Sequence, residues 1–216
     1  MNKELIIRSG SDAVDFALLK DGKLIELHKE EEESNFQVGD IFIAKIRKPV
    51  AGLNAAFVNV CYEKDAFLHY HDLGPNLSSQ LKFIKLVSAG KLKDFSLKTF
   101  QFEKEIDKDG TVTDVLSANQ SVLVQVVKEP ISTKGPRISA ELSLAGRFIV
   151  LVPFSDRVSI SQKIEDKKEK DRLKRLVQSI KPKGFGVIVR TVAEGKNTAE
   201  LEKDLQNLLS RWTAMC

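Results

Sequence analysis

The chain has 216 residues, 42% hydrophobic and 30% charged, with a formal net charge of +4. This is an ordinary composition for one or two folded domains, and a mild positive charge permits a polyanionic partner without demanding one. No run approaches the ~20 apolar residues of a membrane helix. The two cysteines form no CxxC that would mark a zinc clip or disulfide framework, and three histidines leave little material for a histidine-based active site.

The chain opens with Met1-Asn2-Lys3-Glu4 and no signal-peptide core follows, so the cytoplasm is the expected compartment. Leu5–Arg8 is a short apolar run. Val14–Leu19 and Leu24–Leu27 flank Asp21-Gly22, a strong hairpin signal because both turn residues must tolerate positive φ. Three short strands do not bury a core alone, so this segment needs a partner. The charged run His28–Glu33 reads as a solvated linker.

From Gly39 to Asp72, apolar runs at Ile41–Ala44, Ala55–Val60 and Ala66–Tyr70 read as consecutive strands. Short antiparallel strands with tight turns suit a small barrel of the oligonucleotide-binding type. Phe57 and Phe67 lie on the second hairpin, with Lys45, Arg47, Lys48 and Lys64 near them in sequence. Two roles are open for these rings. They are core, as most aromatics are, or they are exposed platforms on which bases stack while cations hold the phosphates. His69 and His71 with Cys61 lack a third ligand at fixed spacing, so polar surface is the expected role.

Leu73-Gly74-Pro75 is a stop. Leu77, Leu81 and Ile84 fit a short helix over Asn76–Val87, and Gly90–Lys98 resembles an insertion between barrel strands. Its Lys91, Lys93 and Lys98 either extend a polyanion track or solubilise the loop. After a turn at Lys108-Asp109-Gly110, Ser121–Lys128 reads as the closing strand of the barrel. Ser132–Arg137 reads as a basic loop beside the barrel mouth, within which Lys134 is either a polyanion contact or a solvated lysine.

In the last third, Gly146 precedes the apolar run Phe148–Val152, and a glycine there lets another group approach the backbone. Lys163–Ile180 reads as an amphipathic helix, with Leu173, Leu176, Val177 and Ile180 on one face. Phe185–Val189 is a buried strand ending in Arg190-Thr191. An arginine fork can hold two phosphate oxygens while the hydroxyl donates to a third. By position alone, an ion pair with a surface acid is the commoner role for such an arginine. Asn197 and Glu200 are spaced as a capping box, and Leu201, Leu205, Leu208, Leu209 and Trp212 form a core stripe.

Two groups of motifs now stand together: Ala55-Ala56-Phe57-Val58 with Ala66-Phe67-Leu68, and Leu144-Ala145-Gly146, Val150-Leu151 and Val189-Arg190-Thr191. With their separations they resemble the ribonuclease E/G family. The resemblance implies an α+β chain: an S1-type OB-fold β-barrel, then a small α+β 5′-sensor domain. A short N-terminal β segment would come from an incomplete RNase H-like subdomain. The implied boundaries are 1–37 for that segment, 38–140 for the barrel with an insertion near 73–105, and 141–216 for the sensor.

The resemblance also implies roles. Phe57, Phe67 and Lys134 match RNA-contacting positions, although Pro136-Arg137 departs from the commonest pattern beside Lys134. Gly146, Val150, Arg190 and Thr191 match the pocket for an RNA 5′-monophosphate, too tight for a triphosphate. Cleavage in the family is Mg²⁺-dependent, through aspartates of a later DNase I-like domain, with zinc shared between subunits. No catalytic or metal-binding residue is therefore assigned here.

The expected function is the single-strand RNA-binding, 5′-monophosphate-sensing part of an endoribonuclease of RNA processing and decay, which binds RNA without cutting it. The alternatives are a stand-alone S1-type RNA-binding factor with no nuclease activity and, more weakly, a structural adaptor. The expected partner is single-stranded RNA, with no membrane and with a homo-oligomeric intact protein. Residues 1–37, lacking their sheet partner, are expected to be disordered, to pack on the sensor helix, or to pair between molecules.

Overall fold

In the computed structural model of the chain, which describes residues 2–11, 13–31, 36–130 and 135–216, Asp21 and Gly22 take φ of 49° and 75°. That is the geometry a two-residue hairpin turn requires. It joins β2 (Ala13–Lys20) to β3 (Lys23–Glu31), and β1 (Lys3–Ser9) pairs antiparallel with the other edge of β2. The described part of the segment is thus a regular three-stranded sheet. Leu5, Ile6, Ile7, Leu24, Ile25 and Leu27 are exposed on it, as expected of three strands that carry no helix or second sheet of their own. This sheet lies in one unit, Met1–Gln37; the second unit is Val38–Cys216.

The second unit begins with a closed barrel. β4 (Ile41–Val50), β5 (Ala55–Asn59) and β6 (Ala66–His69) form a meander. After an insertion come β7 (Ser121–Lys128) and β8 (Arg137–Ser139). The strand order around the barrel is β4-β5-β6-β8-β7. Ala44, Ile46, Ala56, Val58, Ala66, Leu68, Val122, Val124, Val126 and Ile138 are buried, the period-2 pattern of a filled barrel. Closure differs from the sequence reading. β7 is not the last strand; β8 slots between β6 and β7, parallel to the former and antiparallel to the latter. Three residues are too few to leave an alternation, so Arg137 read as loop.

The insertion between β6 and β7 carries α1 (Leu77–Ser88) and the single turn α2 (Val112–Val115). It is a packing element. Phe83, Leu97 and Phe100 join one buried cluster with Phe154, Phe185 and Trp212. Those partners belong to the last part of the chain: β9 (Leu144–Ala145), β10 (Ile149–Pro153), β11 (Val158–Ile160), α3 (Lys167–Ile180), β12 (Phe185–Val189) and α4 (Thr198–Met215). Its sheet has the order β11-β12-β10-β9, with β11 parallel to β12 and the other pairs antiparallel.

Leu173 and Val177 of α3 and Leu201, Leu205, Leu208 and Trp212 of α4 cover one face of that sheet. α3 starts four residues later than its periodicity suggested. Asp166 accepts from the Lys168 N–H at 2.9 Å and caps it there, leaving 163–166 outside the helix. α4 carries the Asn197/Glu200 capping box. The chain is of the α+β class, with an OB-like barrel and a smaller mixed sheet. No helix among the described residues is long and apolar enough to cross a membrane.

Candidate functional site

Strand alternation decides the fate of the two phenylalanines. In β5, Ala56 and Val58 point into the barrel and Phe57 points out; in β6, Ala66 and Leu68 point in and Phe67 out. Phe57 is 36% exposed and Phe67 38%. They are cross-strand partners, and their rings meet edge to face with centroids 6.1 Å apart. Of the two roles open in the sequence, core is therefore excluded for both.

The register extends this pair into a row. Lys48 of β4 lies opposite Phe57, and Arg137 of β8 lies opposite Phe67. Cross-strand partners project from the same face, so a cation, two rings and a second cation cross four adjacent strands. Arg137 is aimed by Asp72, whose carboxylate accepts from its guanidinium at 3.1 and 3.2 Å. Arg47 is likewise tied to Asp65 at 3.1 Å. Lys45 and Lys48 have no ion pair among the described residues. Such a surface can stack flat rings and attract a phosphodiester backbone. Arg137 was not identified as a site residue from the sequence, because its place opposite Phe67 depends on the barrel closing through β8. Lys134 lies outside the described residues.

The second constellation sits on the open face of the mixed sheet. Ile149, Leu151, Val187 and Val189 face the helices; Val150, Ile188 and Arg190 alternate to the other side. Val150 pairs with Ile188 on one flank and with Ala145 on the other. Arg190 is exposed and reaches back along the sheet. Its Nη1 donates to the Gly146 carbonyl at 2.7 Å and, more weakly, to the Arg147 carbonyl at 3.4 Å. Thr191, the next residue, shares a hydrogen bond of 2.9 Å with Ser161 just past β11. Arg190, Gly146 and Val150 thus come together on the open side of the sheet, and Thr191 follows Arg190 in the chain with its hydroxyl turned to Ser161 at the β11 edge.

Gly146 has the close neighbour its position suggested. The Asp204 carboxylate of α4 accepts from the N–H groups of Arg147, Phe148 and Ile149 at 3.1, 2.7 and 3.1 Å. The turn is clamped from both sides, its amides by Asp204 and its carbonyls by Arg190. These three amides are therefore already occupied and are not donors awaiting an anion. The donors left for a ligand are the rest of the Arg190 fork, the Thr191 and Ser161 hydroxyls, and backbone at the rim. Asp204 and Ser161 were missed in the sequence; each lies on an element remote in sequence from the residue it supports.

Beside this site, Glu169 of α3 accepts from the Arg172 Nε and Nη2 at 2.6 and 2.7 Å and from the Gly195 N–H at 2.9 Å. The Arg172 guanidinium is the main reason its carboxyl is held down at about 2. Arg172 also donates to the Lys196 carbonyl at 2.9 Å. Together they fasten the loop between the short turn Thr191–Ala193 and α4. Among the described residues, no group of three or more His, Cys, Asp or Glu side chains is placed to hold a metal ion.

Comparison with known proteins places both constellations in context. The profile described as "Ribonuclease E/G family" matches residues 143–216. Ribonuclease E of Nostoc sp. strain PCC 7120 is 36% identical over 180 residues, 83% of this chain and 22% of that protein. Ribonuclease G of Escherichia coli K12 is 32% identical over 213 residues, 99% of this chain and 40% of that protein. Ribonuclease E of Synechocystis sp. strain PCC 6803 is 35% identical over 177 residues, 82% of this chain and 22% of that protein. The chain thus spans well under half the length of the curated relatives it matches. On the profile match and on likeness running almost from end to end, the chain belongs to the ribonuclease E/G family.

Proposed function

We propose that this chain grips single-stranded RNA on its barrel and senses a 5′-monophosphate at Arg190 and Thr191, as part of a ribonuclease acting in RNA processing. The observation that carries the reading is the row Lys48, Phe57, Phe67 and Arg137: two exposed rings flanked by two cations, in register across four strands. Stacking supplies affinity that tolerates any base, and the cations hold the backbone. Membership of a family whose named relatives are ribonucleases supports RNA as the polymer.

For the 5′ end, Arg190 is the main ligand. Its planar fork suits two oxygens of a terminal phosphate, and its tie to Gly146 fixes the fork in place. The Thr191 hydroxyl, oriented by Ser161, supplies a third bond. Hydrolysis by the intact protein would use Mg²⁺, and zinc would join its subunits. The described residues offer no cluster that fits either ion, so no step here is routed through a metal. This chain binds and orients.

The test compares oligomers bearing a 5′-monophosphate, a 5′-hydroxyl or a 5′-triphosphate, bound to the parent chain and to Arg190→Ala. Charged hydrogen bonds of about 1.5–3 kcal/mol imply a preference of about tenfold to a hundredfold for the monophosphate. Arg190→Ala should erase it and leave hydroxyl-ended RNA bound as before. Equal affinity for all three ends in the parent chain would refute the sensor and leave a plain RNA-binding module.

A further inference from the structure

The row of rings on the barrel does not stop at Phe67. His69 lies two residues on in β6, on the same outward face, with its ring centroid 6.4 Å from that of Phe67 and tilted 38° to it. His71 follows, its centroid 5.0 Å from that of His69 at a tilt of 37°, with the Tyr70 ring behind it at 6.3 Å. The His71 backbone N–H donates to His69 Nδ1 at 3.2 Å, which caps the short turn Tyr70–Asp72. That bond holds the His69 ring in place. With Nδ1 accepting, the neutral ring carries its proton on Nε2, a donor for a base edge or a phosphate oxygen. Arg137 and Asp72 complete the border, joined to each other beside the same turn.

We infer that the single-strand track continues from Phe57 and Phe67 onto His69 and His71, so that the barrel stacks RNA bases along four consecutive rings. The inference rests on the reading of the barrel as an RNA-binding surface and adds to it a direction and a length. Imidazole offers a flat π-face, as phenylalanine does, and bases splayed out of single strands stack on both. The rings are spaced 5.0–6.4 Å apart without a gap. A strand leaving Phe67 in this direction meets a further stacking surface and not bare solvent. The histidines take up no metal-ligand cluster among the described residues, and the cap explains His69 alone. Nothing in the turn requires an aromatic ring at 71.

The test uses the full chain and 5′-hydroxyl RNA, so that the phosphate sensor is silent. Oligomers of graded length are titrated up to about 16 nucleotides, the upper range of a single OB-fold site. Affinity should climb as the strand lengthens past the phenylalanine pair. His71→Ala should remove the last increment, at least about fivefold for long oligomers, and leave the shortest ones unchanged. His71→Phe should retain the increment and His71→Gln should not. Imidazole ring signals of the parent chain should shift by NMR when a long oligomer is added and stay put with a short one, a readout that needs no substitution. Loss at every length alike, no loss at any length, or unmoved imidazole signals would each overturn the extension. Phe57→Ala separates the two readings. If it weakens all lengths while His71→Ala changes none, the barrel binds RNA but the track ends at Phe67. If Phe57→Ala changes nothing, the RNA-binding surface itself is refuted.

Discussion

The carboxylate of Asp204 lies against the backbone of Gly146 so closely that a Cβ built on that glycine would sit 2.7 and 2.8 Å from its two oxygens. Gly146 is not needed here for a left-handed backbone. It is needed for space, because Asp204 must pass over it to reach the amides of residues 147–149. Gly146→Ala should therefore push the carboxylate off its donors. Losing charged hydrogen bonds and stranding half-buried amides costs about 1–3 kcal/mol. Asp204→Ala should cost a similar amount by removing the acceptor outright. The two share one interaction, so the double variant should lose clearly less than the sum. Urea denaturation of all four chains measures this, and strict additivity would show that the contact is incidental.

The same clamp sets the aim of Arg190, which donates to the carbonyl of the residue that Asp204 crosses. Thr191 has a separate support in Ser161. Thr191→Val keeps the shape and deletes the hydroxyl. If that hydroxyl contacts the terminal phosphate, monophosphate-ended RNA should lose about tenfold in affinity, the lower end for a bond to a charged group, with hydroxyl-ended RNA unchanged. Ser161→Ala should give a smaller loss of the same kind, since it removes only the orientation of the hydroxyl. Fluorescence anisotropy with the two oligomers separates the cases. Equal losses for both RNA ends would assign Thr191 a purely structural part.

Much of this was legible in the sequence, for identifiable reasons. Asp21-Gly22 has turn chemistry that few other pairs share. The stripe ending in Trp212 has a helical period. The runs around Phe57 and Phe67 are continuously apolar, so they read as strands but left open which way the two rings face. What stayed hidden depended on contacts between distant residues. β8 is three residues long and acquires its identity only by fitting between β6 and β7. Arg137 becomes a neighbour of Phe67 only then. Gln80 and Ser79 are buried on α1 although the apolar period passes over them, because Gln80 donates to the Ala140 carbonyl at 2.9 Å and Ser79 accepts from the Glu103 N–H at 2.9 Å. The partner of Gly146 could be anticipated as a type of contact, a close approach, but no local signal in Lys203-Asp204-Leu205 names Asp204 as that partner.

Glu169 gives the region around α3 and Gly195 a pH dependence of defined sign. Its carboxyl is held at about 2 in the fold against an ordinary 4.5, chiefly by the Arg172 hydrogen bonds and further by the Gly195 N–H. A lowered value means that the charged form is favoured by folding. The contribution is present in full above the ordinary value and fades as pH falls from 4.5 toward 2. Glu169→Gln should lower the thermal midpoint at pH 7, and the gap between variant and parent should close across that acid window. Melting curves at closely spaced pH values provide the check. A gap that stays constant down to pH 2 would mean that the loop at Gly195 does not depend on this charge.

The last expectation concerns the link between the insertion and the C-terminal helix. Trp212 is 0% exposed, with its ring against Phe83, Phe154 and Phe185 at centroid distances of 5.7, 5.6 and 5.9 Å. Its indole Nε1 donates to the Phe95 carbonyl at 2.8 Å, so an α4 side chain holds backbone of the insertion 117 residues away in sequence. Trp212→Ala should cost about 3–5 kcal/mol, the range for emptying a large aromatic site. Trp212→Phe refills most of the volume but strands the Phe95 carbonyl, which should cost about 1–3 kcal/mol. Trp212 is the only tryptophan in the chain, so unfolding must be followed by circular dichroism and not by indole fluorescence. A neutral Trp212→Phe would mean that the Phe95 carbonyl finds water as readily as the indole. The insertion would then be held by ring packing alone.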